Sequence, residues 1–243
     1  MDKKISVILA TYKEKDCIED LIHEIDSIVN PYEIIVVDDD SPDGTWKIVE
    51  EISKKNKKVK LIRRINKRGL ASAIKDGVSA SKGDILIWMD ADFSQPPALM
   101  PKLIKALERY DIAIASRWVK GGGMKYEKVR VITSKLTCWF ARIILDFSLK
   151  DYTSGYIAIK RDVLEDLKIR EIGGGYGEYF IDLMYRGKKK GYKIVEIPYV
   201  YVPRKFGETK TNPNIFSLLK HGSNYLRAIL KIKLDGMLNE DHR

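Results

Sequence analysis

Two carboxylates one residue apart, Asp90 and Asp92 of Asp90-Ala91-Asp92, directly follow the apolar run Ile85-Leu86-Ile87-Trp88-Met89. At the end of a strand such a pair offers hard oxygen ligands, and with few histidines in the chain these suit Mg2+ or Mn2+ better than zinc. An ion held there can bridge the phosphates of a nucleoside diphosphate and neutralise a departing diphosphate. A second acidic cluster, Asp38-Asp39-Asp40-Ser41-Pro42-Asp43-Gly44, follows Ile34-Ile35-Val36-Val37, and a third group, Thr11-Tyr12-Lys13-Glu14, ends the first apolar run. Three adjacent carboxylates repel one another, which implies a ligand for at least one of them. Asp39 is placed to hydrogen-bond a ribose or a base edge. The structural alternative for Asp40 and Asp43 is to cap the helix that begins near Thr45 or Trp46. An Asp-x-Asp alone also fits a solvated turn; its position after a strand is what favours a ligand.

The elements that must position these groups alternate. Residues 5–10, 32–37, 59–63, 85–89 and 112–116 read as buried strands, and residues 17–29, 46–54, 70–81 and 99–109 as helices between them. Short apolar runs without polar alternation, separated by amphipathic stretches, predict an α/β fold with a mostly parallel sheet covered on both faces. In an open sheet of that kind ligands sit beyond the carboxyl ends of the strands, where all three acidic groups fall. The rhythm weakens after Trp118, where Gly121-Gly122-Gly123 and Gly173-Gly174-Gly175 mark loops. Two later stretches, residues 129–147 and 215–234, carry apolar residues at helical spacing. Both fit core-packing helices with solvated faces. The second has Lys220, Arg227, Lys231 and Lys233 and no acid between them, so it equally fits a helix lying at a lipid headgroup layer.

At 243 residues the chain suits one α/β domain with a full core. Its net charge of +10 is uneven, because residues 185–234 hold twelve Lys and Arg against only Glu196 and Glu208. A positive field at one end implies a polyanionic partner: a phosphorylated substrate, an anionic bilayer or nucleic acid. Two distant cysteines, Cys17 and Cys138, are expected to be reduced and buried rather than paired. No run of 18 apolar residues and no opening signal peptide is visible, so the protein is expected to be soluble or to rest on a membrane surface.

Several of these segments together resemble a known family. Residues 6–14, Ile35-Val36-Val37-Asp38-Asp39-Asp40-Ser41-Pro42-Asp43-Gly44-Thr45, Gly69-Leu70-Ala71-Ser72-Ala73, Met89-Asp90-Ala91-Asp92, Ser116-Arg117, Thr153-Ser154-Gly155-Tyr156 and Arg204-Lys205-Phe206-Gly207-Glu208-Thr209-Lys210 resemble the family 2 glycosyltransferases of the GT-A fold. Among these the dolichol-phosphate mannosyltransferases are most similar, over about residues 5–210. The resemblance implies a single Rossmann-like GT-A catalytic domain, residues 1–212, followed by a basic amphipathic segment, residues 213–243. It implies that Ala10, Tyr12, Glu14, Val37 and Asp39 line a nucleoside pocket and that Asp90, Ala91 and Asp92 hold the diphosphate. Asp92 would bind Mg2+ or Mn2+ together with Ser94 or Gln95. Arg117, Arg130 and Ser134 fall where relatives bind an acceptor phosphate, and Arg204 and Lys210 on a loop over the donor diphosphate. Ala10 and Lys13 depart from the Pro and Asn common in relatives.

The activity so implied is inverting transfer of mannose from GDP-mannose to dolichyl or another polyprenyl phosphate, by a peripheral protein on the cytoplasmic side of a membrane. An anionic membrane surface and a membrane-anchoring subunit are the further partners implied. The acceptor phosphate is largely ionised at neutral pH, its second pKa being about 6, so no general base is required. Transfer from UDP-glucose is an alternative that the acidic clusters do not separate. A non-catalytic nucleotide-sugar or membrane-binding module is another, which the intact Asp-x-Asp disfavours. A dinucleotide oxidoreductase lacks the expected Gly-x-Gly-x-x-Gly after the first strand. No recognition motif supports nucleic acid.

Overall fold

The computed structural model describes residues 3–169, 177–204 and 215–238, the last segment by backbone alone at 215–222 and 236–238. Its centre is a seven-stranded sheet of order β3-β2-β1-β4-β7-β5-β8. β1 (Ile5–Thr11), β2 (Glu33–Asp38), β3 (Val59–Arg63) and β4 (Ile85–Asp90) pair in parallel, as do β5 (Ile112–Ser116) and β8 (Ile194–Pro198). β7 (Ile157–Lys160) lies antiparallel to both β4 and β5. The expected strands are all present in the mostly parallel sheet. β7 and β8 were not anticipated, because a four- or five-residue apolar run in a loop-rich stretch carries too little pattern to stand out.

Helices cover both faces. On one side lie α1 (Ile18–Val29), α2 (Thr45–Lys55) and α4 (Met100–Ala106), the last entered through a 3-10 turn at Pro97–Leu99. α1 shows why: Ile18, Leu21, Ile22 and Ile25 are all buried, one stripe at helical spacing, and Asn30 closes the helix in the left-handed conformation. On the other face lie α3 (Leu70–Ala80), α5 (Lys128–Ile144), α6 (Arg161–Asp166), α7 (Glu178–Lys189) and α8 (Ile215–Leu238). α3 crosses close to the sheet at Gly77, where a Cβ would stand 2.5 Å from Ile8 Cγ2. α8 packs on α5 and α7, with Ile229 fully buried and Tyr225 and Ile232 against the same core. A small two-stranded sheet joins β6 (Gly123–Met124) to β9 (Val200–Tyr201). It ties the segment entering α5 to the one leading to Arg204. Cys17 and Cys138 are both buried.

Candidate active site

β1, β2 and β4 are neighbours running the same way, so their carboxyl ends lie side by side: Thr11 pairs with Asp38, and Ala10 with both Val37 and Asp90. The three loops that leave them each hold one non-glycine residue at positive φ: Lys13 (58°), Asp40 (50°) and Phe93 (62°). Such backbone costs about 1 kcal/mol or more per residue and persists only where its surroundings enforce it. Between the loops opens a cleft of about 430 Å3, with Ala10, Tyr12, Glu14, Asp39, Asp90, Ala91, Asp92, Arg130 and Arg204 among its lining residues.

The acidic floor is unevenly satisfied. Asp92 Oδ1 accepts hydrogen bonds from the Ser94 hydroxyl (2.5 Å) and backbone N–H (3.0 Å), which fixes its carboxylate against its own turn. Its other oxygen lies 3.4 Å from Arg204, whose Nη2 also reaches both oxygens of Glu14 at 2.8 and 2.7 Å. Asp90 has no hydrogen bond to its carboxylate among the described residues. Burial, then the charge of Asp92, push its carboxyl up to about 7, partly opposed by Arg117 and Arg204. This is a negative site held short of positive charge. Ser94 and Gln95 are fully buried. Gln95 Oε1 accepts the Asp90 backbone N–H (2.8 Å) and its amide donates to the Ser154 carbonyl (2.9 Å), so the side chain ties β4 to the approach to β7. Both residues expected near a metal thus have their side-chain oxygens engaged.

The nucleoside side of the cleft is built around Asp39. Its Oδ1 accepts from Arg64 Nε (2.6 Å) and its Oδ2 from the Gly69 backbone N–H (2.9 Å). Gly69 starts α3 at φ +134°, a conformation that side chains rarely adopt. The Arg68 guanidinium stacks 3.8 Å from the Tyr12 ring centroid. Val37 stands behind this wall rather than on it: it is fully buried beside Ile35 and Ala73 and does not line the cleft. The rest of the acidic cluster divides as the structural alternative foresaw for one member. Asp43 accepts both the backbone N–H and the hydroxyl of Thr45 at the start of α2. Asp40 instead pairs with Arg63, and Asp38 with Thr11 and Ser41.

A second, smaller cavity of about 140 Å3 adjoins the first, sharing Leu70, Asp90, Arg130 and Tyr201 with it and adding Arg117, Thr153 and Tyr179. Arg117 leaves β5 and is buried; Arg130 lies in the first turn of α5, 4.3 Å over the ring of Tyr126, which in turn stacks on Tyr201 at 5.5 Å. Ser134 is half-buried one turn further along α5 and lines neither cavity. Lys210 lies outside the described residues.

The sequence matches the model of "Glycosyl transferase family 2" over residues 6–168. The chain belongs to that family. It is 40% identical over 225 residues to a dolichol-phosphate mannosyltransferase of Pyrococcus furiosus, covering 90% of this chain and 62% of that protein. The chain therefore spans less than two thirds of that relative's length. It is 33% identical to an undecaprenyl-phosphate mannosyltransferase of Micrococcus luteus, covering 87% and 89%. Among solved structures, glucosyl-3-phosphoglycerate synthase from Mycobacterium tuberculosis, in complex with Mn2+, UDP and phosphoglyceric acid, superposes with a TM-score of 0.71 at 20% identity, over 95% of this chain and 78% of that one. At that identity the likeness speaks for the fold.

Within this family 2 chain, several lining residues carried no assignment from sequence. Arg68, Gly69, Leu70 and Ala73 belong to or adjoin a motif that was visible, but its role shows only once Gly69 N–H is seen on Asp39. Tyr126 and Tyr201 had no signal at all: they meet through the small β6–β9 sheet, 75 residues apart in the chain. Arg64 reads as an ordinary surface cation and is buried beneath Asp39.

Proposed function

We propose that this family 2 chain transfers mannose from GDP-mannose to dolichyl or another polyprenyl phosphate, with inversion at the anomeric carbon. The observation that carries the reading is the junction of two unlike cavities. One is acidic at its floor; the other is approached by Arg117 and Arg130; Asp90 and Arg130 line both. A guanidinium presents a planar fork to phosphate oxygens. Arg117 and Arg130 would orient the acceptor phosphate, while Tyr12, Arg68 and Asp39 face the nucleoside. The acceptor oxygen is ionised and needs no base, and no histidine lines either cavity among the described residues. Catalysis then rests on in-line positioning and charge stabilisation.

The unsatisfied Asp90 carboxylate, with Asp92 beside it, fits a divalent cation. Asp90 and Asp92 would hold Mg2+ or Mn2+, and bound there the ion supplies positive charge to the diphosphate. Ser94 and Gln95 fit less well as ligands, their oxygens being engaged already. Arg204, held between Glu14 and Asp92, supplies further charge, and Lys210 is assigned with it to the donor diphosphate.

The membrane supplies the lipid acceptor on this reading. α5 exposes Val129, Ile132, Leu136, Trp139 and Ile143 at spacings of three and four, with Phe147 just beyond, each 43 to 59% exposed. On α8, which packs on α5, Leu226, Leu230 and Leu234 are exposed as well. Lys128, Lys135 and Arg142 on α5, and Arg227, Lys231 and Lys233 on α8, supply cations. Exposed apolar residues on two packed helices, with cations among them, suit an anionic bilayer, and Arg130 on α5 would meet the phosphate at the headgroup level. No helix of the described residues is long and apolar enough to cross a membrane. We place this peripheral contact on the cytoplasmic side, with a membrane-anchoring subunit as a further partner.

The test is a panel of nucleotide-sugars with a short polyprenyl phosphate, with and without Mn2+. GDP-mannose with metal should give polyprenyl phosphate mannose. Transfer from UDP-glucose but not GDP-mannose would replace the donor assignment, and GDP binding without transfer from any donor would leave a binding module.

A further inference from the structure

Arg117 is built into the protein as a one-sided fork. Its Nε donates to Asp151 Oδ2 (2.8 Å) and its Nη2 to Asp151 Oδ1 (2.7 Å) and to the Thr153 hydroxyl (2.7 Å). Its backbone N–H donates to the same Asp151 Oδ2 at 2.9 Å. Nη1 makes no hydrogen bond to the described residues, and Arg117 lines the smaller cavity beside Arg130 and Asp90. With three of the guanidinium's five N–H bonds spent on one side, the free edge is the one left for the cavity.

Asp151 is in turn rigidly held. It is fully buried, its backbone N–H donates to Glu196 Oε1 on β8 (2.9 Å), and Glu196 Oε2 takes the N–H of Lys150 (2.8 Å). Oδ1 also accepts the Thr153 N–H at 3.2 Å, closing a tight turn around the carboxylate. Cys138 of α5 packs its thiol 3.6 Å from Oδ1 and 3.3 Å from the Thr153 hydroxyl, so the helix that carries Arg130 docks on the same cluster. Burial alone would push the Asp151 carboxyl up, but Arg117 outweighs it and holds the group below the usual carboxylate range, so the buried pair stays charged.

We infer that Asp151 is the positioning residue of the acceptor subsite: it locks Arg117 so that the guanidinium edge bearing Nη1 meets an acceptor phosphate in fixed register with Arg130. A free arginine surrenders considerable side-chain entropy on binding a phosphate; one already clamped on its far side has lost it on folding. The inference rests on the acceptor assignment above, since it gives Arg117 a phosphate to meet.

The experiment compares steady-state kinetics of wild type, Asp151→Asn, Thr153→Val, Arg117→Ala and the Asp151→Asn/Arg117→Ala double variant, with GDP-mannose, UDP-glucose and a short polyprenyl phosphate. Asp151→Asn should raise KM for the polyprenyl phosphate about tenfold or more and leave KM for the nucleotide-sugar within about twofold. Thr153→Val, which removes one uncharged partner, should move the same constant about two- to fivefold. The double variant should be no worse than Arg117→Ala alone, because both changes act through one guanidinium. If Asp151→Asn proves unfolded, Thr153→Val decides. An unchanged acceptor KM in the folded variants, or equal movement of both KM values, overturns the inference. A wild-type protein that transfers no sugar to polyprenyl phosphate from either donor overturns the acceptor reading instead, and the two failures are distinct.

Discussion

Two carboxylates at opposite ends of the parallel sheet, Glu33 and Asp90, are treated in opposite ways. At the amino end, Glu33 opens β2 with 1% of its surface exposed and every oxygen engaged. The Ser6 hydroxyl (2.6 Å), the Lys82 N–H (2.5 Å) and the Lys60 ammonium all donate to it. Burial raises its pKa, but Lys60 and the other donors outweigh that and hold the group below its ordinary value. At the carboxyl end, Asp90 closes β4 with no hydrogen bond to its carboxylate among the described residues, and burial beside Asp92 drives its pKa up. Strand register positions both groups, Glu33 opposite Ser6 and Asp90 opposite Ala10. Asp39 and Asp92, at the same end as Asp90, have partners; Asp90 is given none among the described residues, and a fold that leaves a carboxylate short of charge in a cleft has left room for a ligand to complete it.

Removing a carboxylate from each end should therefore give opposite results, and the carboxyl end should show the larger effect. Asp92→Ala is expected to lower sugar transfer by about 1,000-fold or more, the scale associated with loss of a charge-stabilising group. The melting temperature should fall little or rise, because the variant relieves repulsion with Asp90. Calorimetry and a transfer assay on the same preparation check both halves. A variant that keeps metal-dependent transfer would show that this floor does not handle the diphosphate.

How much of this contrast could be read in advance depended on distance along the chain. Asp90, Asp92 and Asp39 were legible because each lies within three residues of the end of an apolar run, and a strand ending in carboxylates is a local pattern. The alternation through residue 116 was legible for the same reason. What supports or completes those groups is not local. Arg64 reaches Asp39 from 25 residues away, Asp151 reaches Arg117 from 34, and Gln95 reaches Ser154 from 59. Val37 was expected on the cleft wall from the family resemblance; because β2 is buried along its whole length, it packs against Ile35 and Ala73 instead. The periodicity of residues 129–147 announced a helix but left open which side met the core. Cys138, Ala141, Phe140 and Ile144 pack on the core, while Val129, Ile132, Leu136, Trp139 and Ile143 are exposed.

That outward face extends the comparison from the ends of the sheet to its flank. If α5 meets a bilayer, a charge at its centre should cost binding without touching the cleft. Leu136→Glu combined with Trp139→Glu is expected to reduce flotation with vesicles containing anionic lipid about tenfold or more, at roughly 1 kcal/mol or above for each large apolar group withdrawn from the interface. Transfer to a short, water-soluble acceptor should stay within about threefold of wild type. Undiminished flotation would assign the face to some other partner.

The smallest effect belongs to the amino end, and its sign with pH distinguishes it from the others. Because the Glu33 pKa is lowered on folding, the stabilisation it contributes is present above the unfolded carboxylate value of about 4.3 and is lost as pH falls through the folded value. Glu33→Gln keeps the shape but gives up the charge-assisted bonds to Lys60, Ser6 and the Lys82 N–H. Near neutral pH it should cost about 1 to 3 kcal/mol, read as a lower melting temperature. As the pH falls below about 4 the wild type should converge on the variant, because protonation then does to Glu33 what the substitution does. Activity at pH 7 should be unchanged, since the site lies at the opposite edge of the sheet. A gap between the two proteins that stayed constant from pH 7 to pH 3 would mean that packing, not ionisation, sets the contribution of Glu33, and the contrast with Asp90 would lose its electrostatic basis.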